Sequence, residues 1–329
     1  MEEPKKLQDM PFDILHRIFK MLKFGDQMQL ACLHPRFCDV VAEHYRHKFT
    51  SFVFNQCELY VNLLILVKLC GSTMIHITFD NTADVEYLLP AVERYCINLE
   101  TISFTTSEYN CKAIKLFLER NATLKSVELV MNCSNHRSGI HEAISMLESI
   151  PNIKRLQLHN FPGHSLIKNK IKGFVHLEEL TVGDYFPYDS VPKWRFDISD
   201  LLLRLKNLRR LTVINRIVFL NRKLQEPLLE ELTLIQCDLN FKKPYFPKLL
   251  SFHIERSMYP TKERLLGFIL KHATTLKRLH VMTGYMNYAG DGIFRMRVHL
   301  SSEFGYTRVH RTIQCKQLRG LQRSMITEM

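Results

Sequence analysis

A pattern of apolar-x-x-apolar-x-apolar recurs through most of this chain and narrows its possible folds more than any other feature. It reads Leu99-Glu100-Thr101-Ile102-Ser103-Phe104, then Leu124-Lys125-Ser126-Val127-Glu128-Leu129. It returns as Ile153 with Leu156 and Leu158, Leu177 with Leu180 and Val182, and Leu208 with Leu211 and Val213. Leu229 with Leu232 and Leu234, Leu249 with Phe252 and Ile254, and Leu276 with Leu279 and Val281 complete the series. Ile75 and Ile77 read as a degenerate first copy, with Ser72 where the leading leucine belongs.

The last two apolar residues of each unit alternate with polar ones, the period of a half-buried strand. Between units the apolar spacing is helical: Val85, Leu88, Leu89, Val92 and Cys96 share a face, as do Ile114, Phe117 and Leu118, and Leu265, Leu266 and Ile269. Alternating strands and crossovers predict an α/β architecture of parallel strands with the crossovers on one side. A single unit cannot bury its apolar face, but a stack can. From Leu99 to Leu276 the leading residues stand 20 to 31 apart, which resembles the leucine-rich repeat with its period of about 20–29 residues. The two shortest units carry Pro227, Pro244 and Pro247, so extended crossovers are expected there. The longest holds Tyr185-Phe186-Pro187-Tyr188 and the single tryptophan, Trp194. An asparagine or cysteine three residues past the last apolar position occurs only as Asn132 and Cys237. Asp80, Ser107 and Ser257 are substitute caps, whereas Phe161, Tyr185, Arg216 and Gly284 offer no such acceptor.

The opening residues lack the repeat. Ile14, Leu15, Ile18, Phe19 and Leu22 form a helical stripe, with Pro11 in the first turn where its missing N–H costs nothing. Gly25 is expected to end this helix and Asp26 to cap the next. The next helix carries Met28, Leu30, Ala31 and Leu33 up to His34-Pro35, and Phe37, Val40 and Val41 predict a third. The stretch from Leu7 to Leu22, with its Met10-Pro11 pair, Asp13, Ile14-Leu15 and Ile18-Phe19, resembles the opening of an F-box. Asp26 to Phe37 resembles its second half, with Phe37 where a tryptophan is usual.

An F-box followed by leucine-rich repeats is the domain order of F-box/LRR proteins. That resemblance implies a substrate receptor of an SCF-type cullin–RING ubiquitin ligase. Its F-box binds a Skp-family adaptor, and its repeats hold a target protein. It further implies that Pro11, Ile14, Leu15, Ile18 and Leu22 supply the adaptor contact. The competing reading is a terminal cap that covers the open end of the stack.

In such a stack, residues between the apolar strand positions face the concave side. They include Thr101, Ser103, Glu128, Glu179, Thr181, Thr212, Glu231, Thr233 and Glu255. Arg155, Gln157, His159, Arg210, His253, Arg278 and His280 are the candidate target-binding residues among them. The arginines would suit an acidic or phosphorylated segment, an attraction the glutamates oppose.

Domain boundaries follow from these patterns. Residues 1–48 read as the F-box-like helices, 49–71 as a connecting helical linker, 72–292 as the repeat solenoid, and 293–329 as a basic cap or tail. The formal net charge is +12, and the tail is basic, where Arg295, Arg297, Arg308, Arg311, Lys316, Arg319 and Arg323 face only Glu303 and Glu328. Two further readings therefore stand beside the ligase receptor, a plain repeat scaffold and a nucleic-acid binder using the tail. Nine scattered cysteines without CxxC, and an opening without an apolar signal core, lead to expecting reduced thiols in the cytoplasm or nucleus. No apolar run approaches the ~20 residues of a membrane span. Phosphate-binding and nucleophile motifs are missing, and Cys133, His136 and His141 lack a fourth metal ligand. Neither a catalytic role nor a cofactor is expected.

Overall fold

The computed structural model describes residues 6–54, 59–80, 85–107, 109–132, 145–150, 152–161, 173–184, 195–220, 227–241, 245–257, 262–282, 295–299 and 327–328. These belong to two compact units, Met1–Ile150 and Pro151–Met329.

The first unit opens with a 3-10 turn at Leu7–Asp9 and three helices, α1 (Phe12–Met21), α2 (Phe24–Leu33) and α3 (Pro35–Tyr45). Strand and helix then alternate: β1 (Ser51–Phe54), α4 (Tyr60–Cys70), β2 (His76–Phe79), α5 (Val85–Tyr95), β3 (Thr101–Thr106), α6 (Cys111–Arg120) and β4 (Ser126–Met131). All four strands are parallel and paired in chain order, with Phe54, Phe79, Phe104 and Leu129 in one register row. The three phenylalanines are fully buried and their rings stack, with centroids 4.8 and 5.3 Å apart. Such an offset aromatic column adds to the burial that holds the rungs together.

This register moves the expected frame of the first repeat. Ile77 pairs with Ile102 and Phe79 with Phe104, so the unit is Met74-x-x-Ile77-x-Phe79 rather than Ser72 with Ile75 and Ile77. Met74, Ile77 and Phe79 are buried while Ile75 is half-buried. The segment read as a helical linker supplies a rung of its own, because β1 pairs with β2 and α4 is its crossover. Phe49, Phe52 and Phe54 fit the same pattern. Phenylalanine and methionine replace the leucines there, which conceals one repeat and shifts the frame of the next.

The second unit contains β5 (Arg155–His159), β6 (Glu179–Gly183), β7 (Arg195–Asp197), α7 (Ile198–Arg204), β8 (Arg210–Ile214), β9 (Ile217–Leu220) and β10 (Glu231–Ile235). It continues through β11 (Asp238–Phe241), β12 (Ser251–Glu255), α8 (Lys262–Lys271), β13 (Arg278–Met282), β14 (Arg295–His299) and β15 (Thr327–Glu328). β5, β6, β8, β10, β12 and β13 pair in parallel, so among the described residues the first unit holds four parallel repeat strands and the second holds six. Met296 and Val298, in the stretch expected as a cap or tail, fall in β14, which pairs antiparallel with β13 on one edge and with β15 on the other.

The proline-bearing crossovers are extended, as the sequence implied. Their strands β9 and β11 form a second parallel sheet with β7. After β5, β8, β10 and β12 the chain turns through Asn160, Asn215, Gln236 and Arg256 at positive φ. The first three donate their backbone N–H groups to Gly183, Ile235 and Glu255, the last carbonyls of the neighbouring strands, at 2.8 Å each. This turn satisfies the strand ends where the asparagine consensus is missing. Cys237 and Ser257 do supply side-chain caps. The Cys237 N–H donates to Ser257 Oγ at 3.0 Å, and Ser257 Oγ donates to the Glu255 carbonyl at 3.0 Å.

Candidate functional site

The helical hairpin separates the apolar residues of α1 into two stripes. Leu15 and Phe19 point inward and are buried on the side where α1 packs on α3, as are Met28 and Ala31 of α2 and Phe37, Val40 and Val41 of α3. The Phe19 and Phe37 rings lie 5.6 Å apart. Pro11, Ile14, Ile18 and Met21 form the second stripe, at helical spacing on the outer face. Pro11 is exposed, Ile14 is 37% exposed, Ile18 is half-buried and Met21 is 85% exposed. Phe12 and, at the end of α2, Leu33 are also exposed.

Of the five residues expected to contact an adaptor, Pro11 and Ile14 are open, while Ile18 and Leu22 are partly covered. Leu15 is corrected: it is fully buried, because α3 packs on its side of the helix. Sequence reasoning missed Met21 and Leu33, each hidden in a general apolar run. Met21 could have been found by extending the Ile14 and Ile18 positions one further turn.

The corner between α1 and α2 also differs from expectation. Gly25 and Asp26 both lie inside the first turn of α2, and Lys23 stands before it. The end of α1 is satisfied by the buried Gln27, whose amide donates to the Phe19 carbonyl at 2.7 Å and the Leu22 carbonyl at 2.9 Å. Tyr45 Oη donates in turn to Gln27 Oε1. One side chain therefore ties the three helices together, and Asp26 is left to favour the positive end of α2.

Residues 7–49 match the F-box domain. The N-terminal helices are an F-box domain. The α1 stripe described above lies on its surface. Among the described residues the F-box precedes leucine-rich-repeat strands, four paired in parallel in the first unit and six in the second. In fold, the chain is similar to a chain in the crystal structure of the yeast Rad7 and Elc1 complex, at 12% identity and a TM-score of 0.45. That likeness covers 82% of this chain and 73% of the other. It is also similar to the leucine-rich repeat-containing protein LegL7 from Legionella pneumophila, at 14% identity and a TM-score of 0.38, covering 64% of this chain and 72% of that one. No curated protein matches the chain.

The repeats carry two polar rows on their second unit. Strand register aligns Arg155, Glu179, Arg210, Glu231, Ser251 and Arg278 in one row, and Gln157, Thr181, Thr212, Thr233, His253 and His280 in the other. Arg210 is paired with Glu179, and Arg278 reaches Glu231 at 2.6 Å. These glutamates compete for the same guanidinium faces that a phosphate would need. His253 and His280 stack with centroids 4.3 Å apart, and His253 Nε2 lies 3.6 Å from Glu255. Arg155 is exposed and Gln157 half-buried, on the strand farthest from that pair in the row.

His159 is corrected as a surface residue. It is 1% exposed at the end of β5, and burial pushes its imidazole pKa down to about 4. The alternation that would have kept it outside stops one residue early, because the chain turns at Asn160.

Among the described residues no group of three or more His, Cys, Asp or Glu is placed to hold a metal, and no helix is long and apolar enough to cross a membrane. Cys133, His136, His141, the aromatic run at 185–188, Trp194 and most of the basic tail lie outside the described residues.

Proposed function

We propose that this chain is the substrate-recognition subunit of an SCF-type cullin–RING ubiquitin ligase. Its F-box docks a Skp-family adaptor through Pro11, Ile14, Ile18, Leu22 and Met21, and its repeat strands hold the target protein. The observation that carries this reading is an F-box domain whose first helix keeps a second apolar stripe on its surface. Exposed Met21 and half-covered Ile18 gain by burial against a partner groove, at about 25 cal/mol per Å² of apolar surface. The chain itself contributes recognition, and other subunits perform ubiquitin transfer.

The target-binding candidates are Arg155, Gln157, Arg210, His253, Arg278 and His280 on the repeat rows. The ion pairs of Arg210 and Arg278 favour a target of mixed charge over a strongly acidic one.

The helices also have a structural role. α2 and α3 pack on α4, the crossover of the first rung, so the F-box covers that end of the stack. Covering and docking use different faces and are compatible. The test is co-elution of the full-length chain with a purified Skp-family adaptor on size exclusion. A stable complex supports the proposal, and separate elution at micromolar concentrations refutes it.

A further inference from the structure

We propose that Cys32 and Cys38, at the corner between α2 and α3 of the F-box, form a reversible dithiol–disulfide redox site. The inference is independent of adaptor docking.

The corner brings the two residues together through Ala31. Cys38 Sγ donates to the Ala31 carbonyl at 2.7 Å. That oxygen belongs to the peptide leading into Cys32, and ordinary backbone dimensions put it about 2.8 Å from the Cys32 Cα. Cys38 Sγ is therefore within about 5.5 Å of the Cys32 Cα. The Cys32 sulfur swings on a radius of about 2.8 Å around the same atom, which spans about half of that gap and brings an S–S bond of about 2.05 Å within reach of a rotation at Cys32.

Accessibility separates these two thiols from the other described ones. Cys32 is exposed and Cys38 partly so, whereas Cys70, Cys96, Cys111 and Cys237 are buried. Burial lifts the thiols of Cys70 to about 11 and Cys96 to about 12, which keeps them protonated and inert. Cys38 is also raised, first by burial and next by Asp39, with Lys68 opposing and Cys32 adding to the rise. The arrangement assigns roles: the open Cys32 reacts first, and the half-covered Cys38 resolves.

The oxidant class is a small disulfide such as oxidised glutathione. The Cys32 thiolate attacks one glutathione sulfur, forming a mixed disulfide and releasing one glutathione thiolate. Cys38 then loses its proton to solvent and gives up its hydrogen bond to Ala31. Its thiolate attacks Cys32 Sγ, forming the internal bond and expelling the second glutathione. Two protein thiols are oxidised while one disulfide is reduced to two thiols. No further electron acceptor is needed. The product joins the end of α2 to the first turn of α3, beside the exposed Leu33.

The test uses the full-length chain in reduced and oxidised glutathione mixtures at pH 7.5, quenched with acid and alkylated. Trypsin cleaves at Arg36, between the two cysteines, so a disulfide appears as peptide 24–36 joined to 37–46 with loss of two hydrogens. The expected result is this linked peptide as the main product, reversed by dithiothreitol. In Cys38→Ser the reaction should stop at glutathione on Cys32. In Cys32→Ser, Cys38 should react roughly tenfold more slowly than Cys32 does in the parent chain. Circular dichroism confirms that each variant is folded. A parent chain that accumulates glutathione on Cys32 without the linked peptide overturns the proposal, as does a chain that leaves both thiols alkylatable.

Discussion

Arg216 and Asp184, on neighbouring rungs of the second unit, form a two-pronged ion pair. Both terminal guanidinium nitrogens reach the carboxylate, one of them at 2.8 Å. Arg216 is 6% exposed and also donates to the Phe161 carbonyl of the rung before, at 3.4 Å. One side chain thus crosses three consecutive rungs. It stands where the repeat consensus would place an asparagine acceptor, and it links the turns with donors instead.

Removing Asp184 leaves the buried Arg216 charge unmatched, which costs about 3–5 kcal/mol, and removing Arg216 strands a half-buried carboxylate at a smaller cost. Asp184→Leu should lower the urea midpoint of the second unit sharply, and Arg216→Met should lower it less. The double variant should be markedly more stable than the sum of the single losses implies, since neither charge remains. Additive losses in that cycle would show that the two side chains do not depend on each other.

Gly183, the residue before Asp184, has no room for a side chain. A Cβ there would meet the Ile214 Cβ at 2.4 Å and its carbonyl oxygen at 2.6 Å. Gly183→Ala must push β6 and β8 apart, at a cost of about 1–3 kcal/mol. Adding Ile214→Ala should restore little, because the clashing atoms are retained by alanine. Recovery of the thermal midpoint in the double variant would place the conflict elsewhere.

Acid sensitivity is expected from two buried histidines. His272 is held neutral: Phe246 N–H donates to its Nε2 at 2.9 Å, and its Nδ1 donates to the Phe268 carbonyl at 2.7 Å. Burial lowers its pKa, the Phe268 bond opposes that shift, and Lys271 reinforces it. His159 is lowered to about 4 by burial. The unfolded chain binds these protons first, near pH 6.5, so the stabilisation is complete above that value. It is lost as pH falls toward the folded pKa values. His159 alone should remove about 2 kcal/mol between pH 7.5 and 5. Urea melts of the parent chain and His159→Asn at those two pH values provide the check. Equal pH dependence in both would rule out the assignment to His159.

The repeat was legible because each rung buries two alternating residues whatever surrounds it. Leu99, Ile102 and Phe104 announce β3 without any tertiary information. A search anchored on leucine passes over the rung spaced as Phe49, Phe52 and Phe54, of which Phe54 is buried and Phe52 half-buried, and misplaces the frame of Met74, Ile77 and Phe79. The outer stripe proposed for docking was only half legible. Ile14 and Leu15 are adjacent and equally apolar, and what separates them is the side on which α3 packs. Gln27 was invisible as a helix stop, since its two acceptors lie five and eight residues away. His159 fell on the wrong side because strand alternation ends at a turn that no glycine marks.

The contrast between Ile14 and Leu15 gives the sharpest test of docking. Ile14→Asp and Met21→Asp place carboxylates on an exposed stripe, where the free chain should tolerate them within about 0.5 kcal/mol. Against a desolvating partner groove the same charges lack compensation, and each should weaken adaptor binding by at least about 2 kcal/mol, roughly thirtyfold in Kd. Leu15→Ala should behave in the opposite way, costing about 2–5 kcal/mol of stability through the cavity it opens. Its binding should fall only as far as its folded fraction falls. Calorimetric titration of an adaptor into each variant, paired with thermal melts, separates the two effects. Tight binding by Ile14→Asp and Met21→Asp would move the interface off the outer stripe of α1.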